Sequence, residues 1–224
     1  MKNGECMKNY DVIAFDLDGT LTDPEHGLIE AYIYGFTRMG ISDYGTRESL
    51  RRYIGPPVYD EWRRDFSLSE EEGKRLLAYF REYYDVYGWW DNKVYDGVIQ
   101  LLETLRGAGK TLILATSKPE RTANRVIRHF GLDKYFDFIG ASVDRIRDKK
   151  WQVLDYALDS VGCSDRSRAL MIGDRKYDAE GAKICGIDAL GVLWGHGSFD
   201  ELAGAGFEYI VHSTDEIKRL LLGE

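Results

Sequence analysis

Short, unbroken apolar runs alternate with stretches of helical spacing along most of this chain. The first run, Val12-Ile13-Ala14-Phe15, has the length and β-rich character of a buried strand. Similar runs at 111–115, 138–142, 169–172, 188–193 and 209–211 predict five more strands. Between them, apolar positions at helical spacing predict helices over 97–106, 119–129, 150–161 and 178–185. Gly107 to Gly109 and Gly131 supply stops, and Ser213 to Glu216 has the form that caps a last helix. Strands alternating with helices of this length imply parallel βαβ units. The predicted class is α/β, with a doubly wound parallel sheet.

One block breaks the alternation. From about residue 23 to 91 the pattern is helical, with no strand candidate. Thr22-Asp23-Pro24-Glu25 reads as a helix start. Leu28, Ala31, Tyr32, Phe36 and Met39 then recur at helical spacing up to Gly40. Gly55-Pro56-Pro57 predicts a sharp break, and Ser69-Glu70-Glu71-Glu72 a capping box. The predicted organisation is a core of residues 1–22 and 92–224, with an inserted helical lobe at 23–91.

Composition narrows the function classes. The chain has 224 residues, 44% of them hydrophobic and 30% charged, enough for a core domain plus an insertion. A net charge of −8 argues against a nucleic-acid backbone as the main partner. It leaves room for small anions, because a bound metal and a few cations reverse the field inside one cleft. Cys6, Cys163 and Cys185 lack metal-site spacing and fit a reducing compartment. The polar start and the absence of a long apolar run lead us to expect a cytoplasmic protein with no membrane partner, monomeric or homodimeric.

The candidate chemistry sits at strand ends. Asp16-Leu17-Asp18-Gly19-Thr20 follows the first strand, Thr116-Ser117-Lys118 the second, and Gly173-Asp174-Arg175-Lys176-Tyr177-Asp178 the fourth. The cationic run Arg145 to Lys150 follows the third. In open α/β sheets this edge is where ligands bind. Phosphoryl transfer needs an in-line nucleophile, an acid for the leaving alkoxide, donors for the phosphate oxygens and a cation. Asp16 suits the nucleophile and Asp18 the acid/base. Gly19 lets the backbone approach a ligand closely, and Thr20 adds a hydroxyl. Thr116 or Ser117 can hold phosphate, and a lysine can neutralise the intermediate. Asp174 with Asp16 offers hard oxygens suited to Mg²⁺.

These motifs, in this order and with this insertion, resemble the haloacid-dehalogenase-like hydrolase superfamily in its helical-cap form, nearest the phosphoglycolate-phosphatase-like branch. The resemblance covers nearly the whole chain. It implies a Rossmann-like core and a Mg²⁺-dependent phosphatase that works through an aspartyl-phosphate on a small phosphorylated metabolite such as phosphoglycolate or a nucleoside monophosphate. It implies Asp16 as nucleophile and metal ligand, Asp18 as acid/base with its carbonyl on the metal, and Asp174 as a third ligand. Asp178 becomes a ligand through water or an outer acceptor. Of the two hydroxyls, Thr116 is preferred. The lysine motif departs from the common Lys-Pro pattern: here it is Lys149-Lys150-Trp151, and Lys150 is preferred for its place at the helix start.

Other readings stay open at this stage. Ser117 and Asp178 can each cap a following helix. Most of the lobe's tyrosines and arginines should pack or be solvated, with one or two reaching a substrate. A β-phosphoglucomutase-like phosphomutase shares the first motif. A dehalogenase would lack Asp18, and a non-catalytic phosphate-binding protein would not need the full set of acids.

Overall fold

The computed structural model describes residues 8–55 and 58–223. Cys6 and most of the polar N-terminus lie outside the described residues, as do Pro56 and Pro57 of the expected break. The chain divides into two compact units, Met1–Thr22 with Val94–Glu224, and Asp23–Lys93.

The first unit is built on six parallel strands: β1 (Val12–Phe15), β4 (Thr111–Pro119), β5 (Phe138–Ser142), β6 (Ala169–Gly173), β7 (Asp188–Val192) and β8 (Tyr209–Val211). Their spatial order is β5-β4-β1-β6-β7-β8. Taken by order of appearance, this is the 3-2-1-4-5-6 arrangement of doubly wound sheets. The chain winds outward from β1 in one direction, then restarts at β6 on its other side. The switch point therefore lies between β1 and β6, which pair in register from Val12 with Ala169 to Phe15 with Ile172.

Apolar side chains explain why β1 is central: Ile13 and Ala14 are fully buried. Val12 and Ala14 join Ile113, Ala115 and Met171 in one packed cluster with Val153, Leu154 and Ala157. Those last three come from α6 (Lys150–Ser160). Packing β1 and β6 side by side carries Asp16 and Asp174 to the same sheet edge.

Three details differ from the sequence reading. Thr22 and Asp23 form a short strand, β2 (Thr22–Asp23), paired with β3 (Lys93–Val94), and the next helix, α1 (Glu25–Met39), starts after Pro24. The two chain crossings between the units occur at this ribbon. Strand β4 continues past Ala115 through Thr116, Ser117 and Lys118, with a register shift against β5 between Thr116 and Pro119. Helix α8 (Phe199–Ala205) was not anticipated, although Ser198 and Glu201 carry its cap signal: the Ser198 hydroxyl accepts from the Glu201 N–H at 3.1 Å.

The second unit packs α1, α2 (Val58–Asp65) and α3 (Glu70–Tyr83) around Trp62, which is fully buried. Tyr32, Phe36 and Phe80 contact its ring edge-on with centroids 5.5–5.7 Å away. The predicted capping box is present at Ser69 and Glu72, and Gly40 ends α1 in a left-handed conformation.

Candidate active site

The site begins where β1 runs out. The Asp16 N–H still bonds the Ile172 carbonyl at 2.9 Å, so its position is set by the sheet. The chain then wraps round the Leu17 carbonyl, which accepts from the N–H groups of Leu21 and Thr22 at 2.9 and 3.0 Å. Gly19 sits in this turn at φ +82°, and a Cβ there would lie 2.1 Å from Asp174 Oδ2. Only glycine satisfies both the dihedral and the contact.

Asp174 enters from the end of β6 and has no exposed surface. The Thr20 hydroxyl donates to its Oδ1 at 3.2 Å and the His196 N–H to its Oδ2 at 2.8 Å. Asp178, in the first turn of α7 (Lys176–Cys185), is also fully buried. Its Oδ2 accepts from the Arg175 N–H at 3.1 Å: Asp178 is not the cap itself but the third residue of the helix, reaching back to the cap position at Arg175. That leaves Oδ1 facing Lys150, 2.8 Å away, and the same ammonium lies 2.8 Å from Asp16 Oδ1. Lys150 Nζ also donates to the Ala115 carbonyl at 3.1 Å, while Lys149 is exposed. The structure thus separates the two lysines: Lys150 is in the cluster and Lys149 is not.

The electrostatics follow from burial. Asp174 is pushed well above the usual carboxylate range by desolvation first, then by Asp178 and Asp16. Desolvation also raises Asp178, against the pull of Lys150. Burial opposes the charge on Lys150, but Asp16 and Asp178 outweigh it and keep the ammonium protonated.

Asp16, Asp174 and Asp178 each bring a carboxylate oxygen to within 4.8 Å of the others. A hard, all-oxygen set with this much uncompensated charge fits a divalent cation such as Mg²⁺. The sequence reading had Asp178 outside the ligand shell; the geometry brings it into the cluster. The Asp18 side chain turns elsewhere, and Lys118 Nζ lies 2.7 Å from its Oδ2. Thr116 is buried and Ser117 half-buried at the end of β4. The Thr116 Oγ1 accepts from the Lys118 N–H at 3.1 Å.

Two contributors went unassigned in the sequence. One is Lys118, which the sequence places after the second strand without a distinctive signal for its role. The other is the loop Trp194-Gly195-His196-Gly197. The Trp194 indole donates to the Thr20 carbonyl at 3.0 Å. A Cβ on Gly195 would meet the Gly19 carbonyl at 2.3 Å, and one on Gly197 the Asp174 carbonyl at 2.0 Å. Two alternate glycines flanked by an indole were the available signal. Apart from this site, a cleft of about 810 Å³ lies within the helical unit, lined by Arg47, Arg51, His26 and Lys93 among others. Arg51 there pairs with Glu25 at 2.8 Å and Lys93 with Asp23 at 3.3 Å.

Comparison with known proteins decides the family. Residues 13–192 match the family model of the haloacid dehalogenase-like hydrolases. The chain belongs to this family. A 5'-nucleotidase of Pseudomonas aeruginosa is 40% identical over 199 residues, covering 88% of this chain and 89% of that protein. Tyrosine-protein kinase PtkA of Mycobacterium tuberculosis is 37% identical over 213 residues, 94% of this chain and 72% of that one. The crystal structure of a predicted phosphatase from Clostridium acetobutylicum superposes with a TM-score of 0.90 at 36% identity, covering 97% of this chain and all of that one. Within the hydrolase family, the chain groups with the phosphatases. Among the described residues, no helix is long and apolar enough to cross a membrane.

Proposed function

We propose that this hydrolase is a Mg²⁺-dependent phosphatase acting on a small phosphate monoester, with nucleoside 5'-monophosphates as the leading substrate class. The observation that carries the reading is the meeting of Asp16, Lys150, Asp174 and Asp178 at one sheet edge, with Asp18 beside them on the same turn. The nucleotide preference rests on the 40% identity to a protein named 5'-nucleotidase. The β-strand edge is also where open α/β sheets place their ligands.

In this reading an Asp16 oxygen attacks phosphorus in line with the leaving group. Asp18 gives its proton to the departing alkoxide, then takes one from the water that cleaves the aspartyl-phosphate. The Thr116 and Ser117 hydroxyls and the Gly19 backbone hold the phosphate oxygens. Lys150 offsets the charge of the covalent intermediate. Asp16, Asp174 and the Asp18 carbonyl would hold Mg²⁺, with Asp178 beside or within the ligand shell. The ion would supply charge compensation between the nucleophile and the phosphate.

The test is phosphate release from a panel of nucleoside monophosphates, phosphoglycolate, pyrophosphate and sugar phosphates, with Mg²⁺ or with EDTA. Release that needs Mg²⁺ and no sugar bisphosphate supports a phosphatase over a mutase. No release from any member refutes the reading. The likeness to PtkA favours one second reading, transfer of the phosphoryl group to a tyrosine hydroxyl instead of water. Labelled phosphate appearing on tyrosine, with none released, would select it.

A further inference from the structure

We propose that Lys118 is a positioning residue that fixes the Asp18 carboxyl for its proton transfers. The inference rests on the phosphatase reading above and concerns the acid/base step alone.

Lys118 is unusual in where it stands. It lies on the irregular end of β4, inside the register shift between Thr116 and Pro119. A bulge of this kind re-aims a side chain that a regular strand would send elsewhere. The re-aimed chain is almost wholly buried: side-chain exposure is 4% for Lys118 and 15% for Asp18. Burying an ammonium is costly unless a partner offsets it. That partner is Asp18, 100 residues away in sequence, with Nζ and Oδ2 2.7 Å apart.

The two oxygens of Asp18 are consequently unequal. Oδ2 is held by Lys118, whereas Oδ1 is buried and accepts no hydrogen bond from the described residues. Pinning one oxygen of a carboxyl fixes its rotation about the Cβ–Cγ bond, and so aims the other. The carboxyl held in this way gives up its proton as the phosphorus–alkoxide bond breaks and the bond from Asp16 forms. In the second half-reaction the Asp18 carboxylate accepts a proton from water as the water oxygen bonds to phosphorus. The bond to Asp16 then breaks, and inorganic phosphate leaves.

An acid that is badly aimed hurts only leaving groups that need a proton. The test compares benzyl phosphate, which departs as an alkoxide, with 4-nitrophenyl phosphate, whose phenolate leaves unprotonated. The parameter is kcat/KM, which covers steps up to leaving-group departure. Lys118→Met should lose about 100-fold on benzyl phosphate, within the range general acid catalysis supplies. The loss on 4-nitrophenyl phosphate should be several-fold at most. Asp18→Asn should show the same leaving-group pattern, and adding Lys118→Met to it should cost nothing further. Thermal unfolding checks that each variant is folded. If Lys118→Met does not fold, Lys118→Gln and the neutral double variant Lys118→Met/Asp18→Asn carry the same comparison. Equal losses on both substrates with a raised KM would make Lys118 a phosphate-binding group and overturn the proposal, as would no loss at all. If the parent enzyme hydrolyses neither ester nor any member of the panel, the phosphatase reading itself fails, which is a separate result.

Discussion

Replacing Lys150 by methionine removes the one ammonium that touches both Asp16 and Asp178. Each contact is 2.8 Å, and the lysine side chain is 6% exposed, so little water replaces the lost charge. Methionine keeps most of the volume, which limits the packing loss. What remains is an acidic cluster without its counter-ion. Breaking a buried pair from one side costs about 3–5 kcal/mol. For a chain of this size that corresponds to a fall in Tm of roughly 6–20 °C. The assay is thermal unfolding in EDTA at pH 8, well above the value of about 6 to which Asp178 is raised, so protonation of that carboxylate does not hide the cost. Two further measurements locate the effect. Adding Asp178→Asn to the variant should recover part of the loss, because one of the stranded charges disappears. Adding Mg²⁺ should recover about 2.7 kcal/mol at a hundredfold excess over its Kd. A Lys150→Met protein within about 1 kcal/mol of the parent in EDTA, against the 3–5 kcal/mol range for such pairs, would refute the picture of a buried, mutually dependent cluster.

Further outcomes follow from the same coordinates. Asp16→Asn should form no phosphoenzyme and show no turnover, read by acid-quench labelling and phosphate release. In EDTA, the stabilising effect of the raised Asp178 is complete below the unfolded carboxylate pKa of about 4. It is lost as pH rises through about 6, so the urea midpoint should fall more steeply between pH 5 and 8 in the parent than in Asp178→Asn. Gly195→Ala should weaken Mg²⁺ binding measured by calorimetry, because its methyl group would sit 2.5 Å from Asp174 Oδ2 and displace the His196 N–H. Trp62→Ala should destabilise the helical unit by about 3–5 kcal/mol, seen as an earlier unfolding transition.

The sheet was legible because each strand is an apolar run bounded by polar residues, and burial on both faces leaves little else for such a run to do. The first and fourth strand ends could be read for the same reason: a carboxylate directly after an apolar run stands out. Lys118 was harder. Its pairing depends on the bulge after Thr116, and nothing in Thr-Ser-Lys-Pro tells whether the strand stops at Ala115 or continues irregularly. Between Lys149 and Lys150 the sequence offered only the place of Lys150 at the helix start; the phase of α6 turns it inward, against Ala115. The Trp194 to Gly197 loop was harder to read because its contact with Asp174 is a backbone N–H, which any residue type carries, and only the alternate glycines and the indole marked it.

Charge balance ties these pieces into one argument about the metal. Asp16, Asp18, Asp174 and Asp178 meet two buried lysines, Lys118 and Lys150. Lys118 is committed to Asp18, and Lys150 is shared between Asp16 and Asp178. Asp174 is held by the Thr20 hydroxyl and the His196 N–H, which are neutral donors. With every carboxyl ionised, four carboxylates against two ammonium groups leave two negative charges, which one divalent cation would offset. A third buried lysine here would leave one negative charge instead of two, and the loss of either lysine would leave three, more than one ion cancels. The two lysines therefore divide the work. Lys150 is shared within the cluster without neutralising it, and Lys118 pairs with Asp18 apart from it.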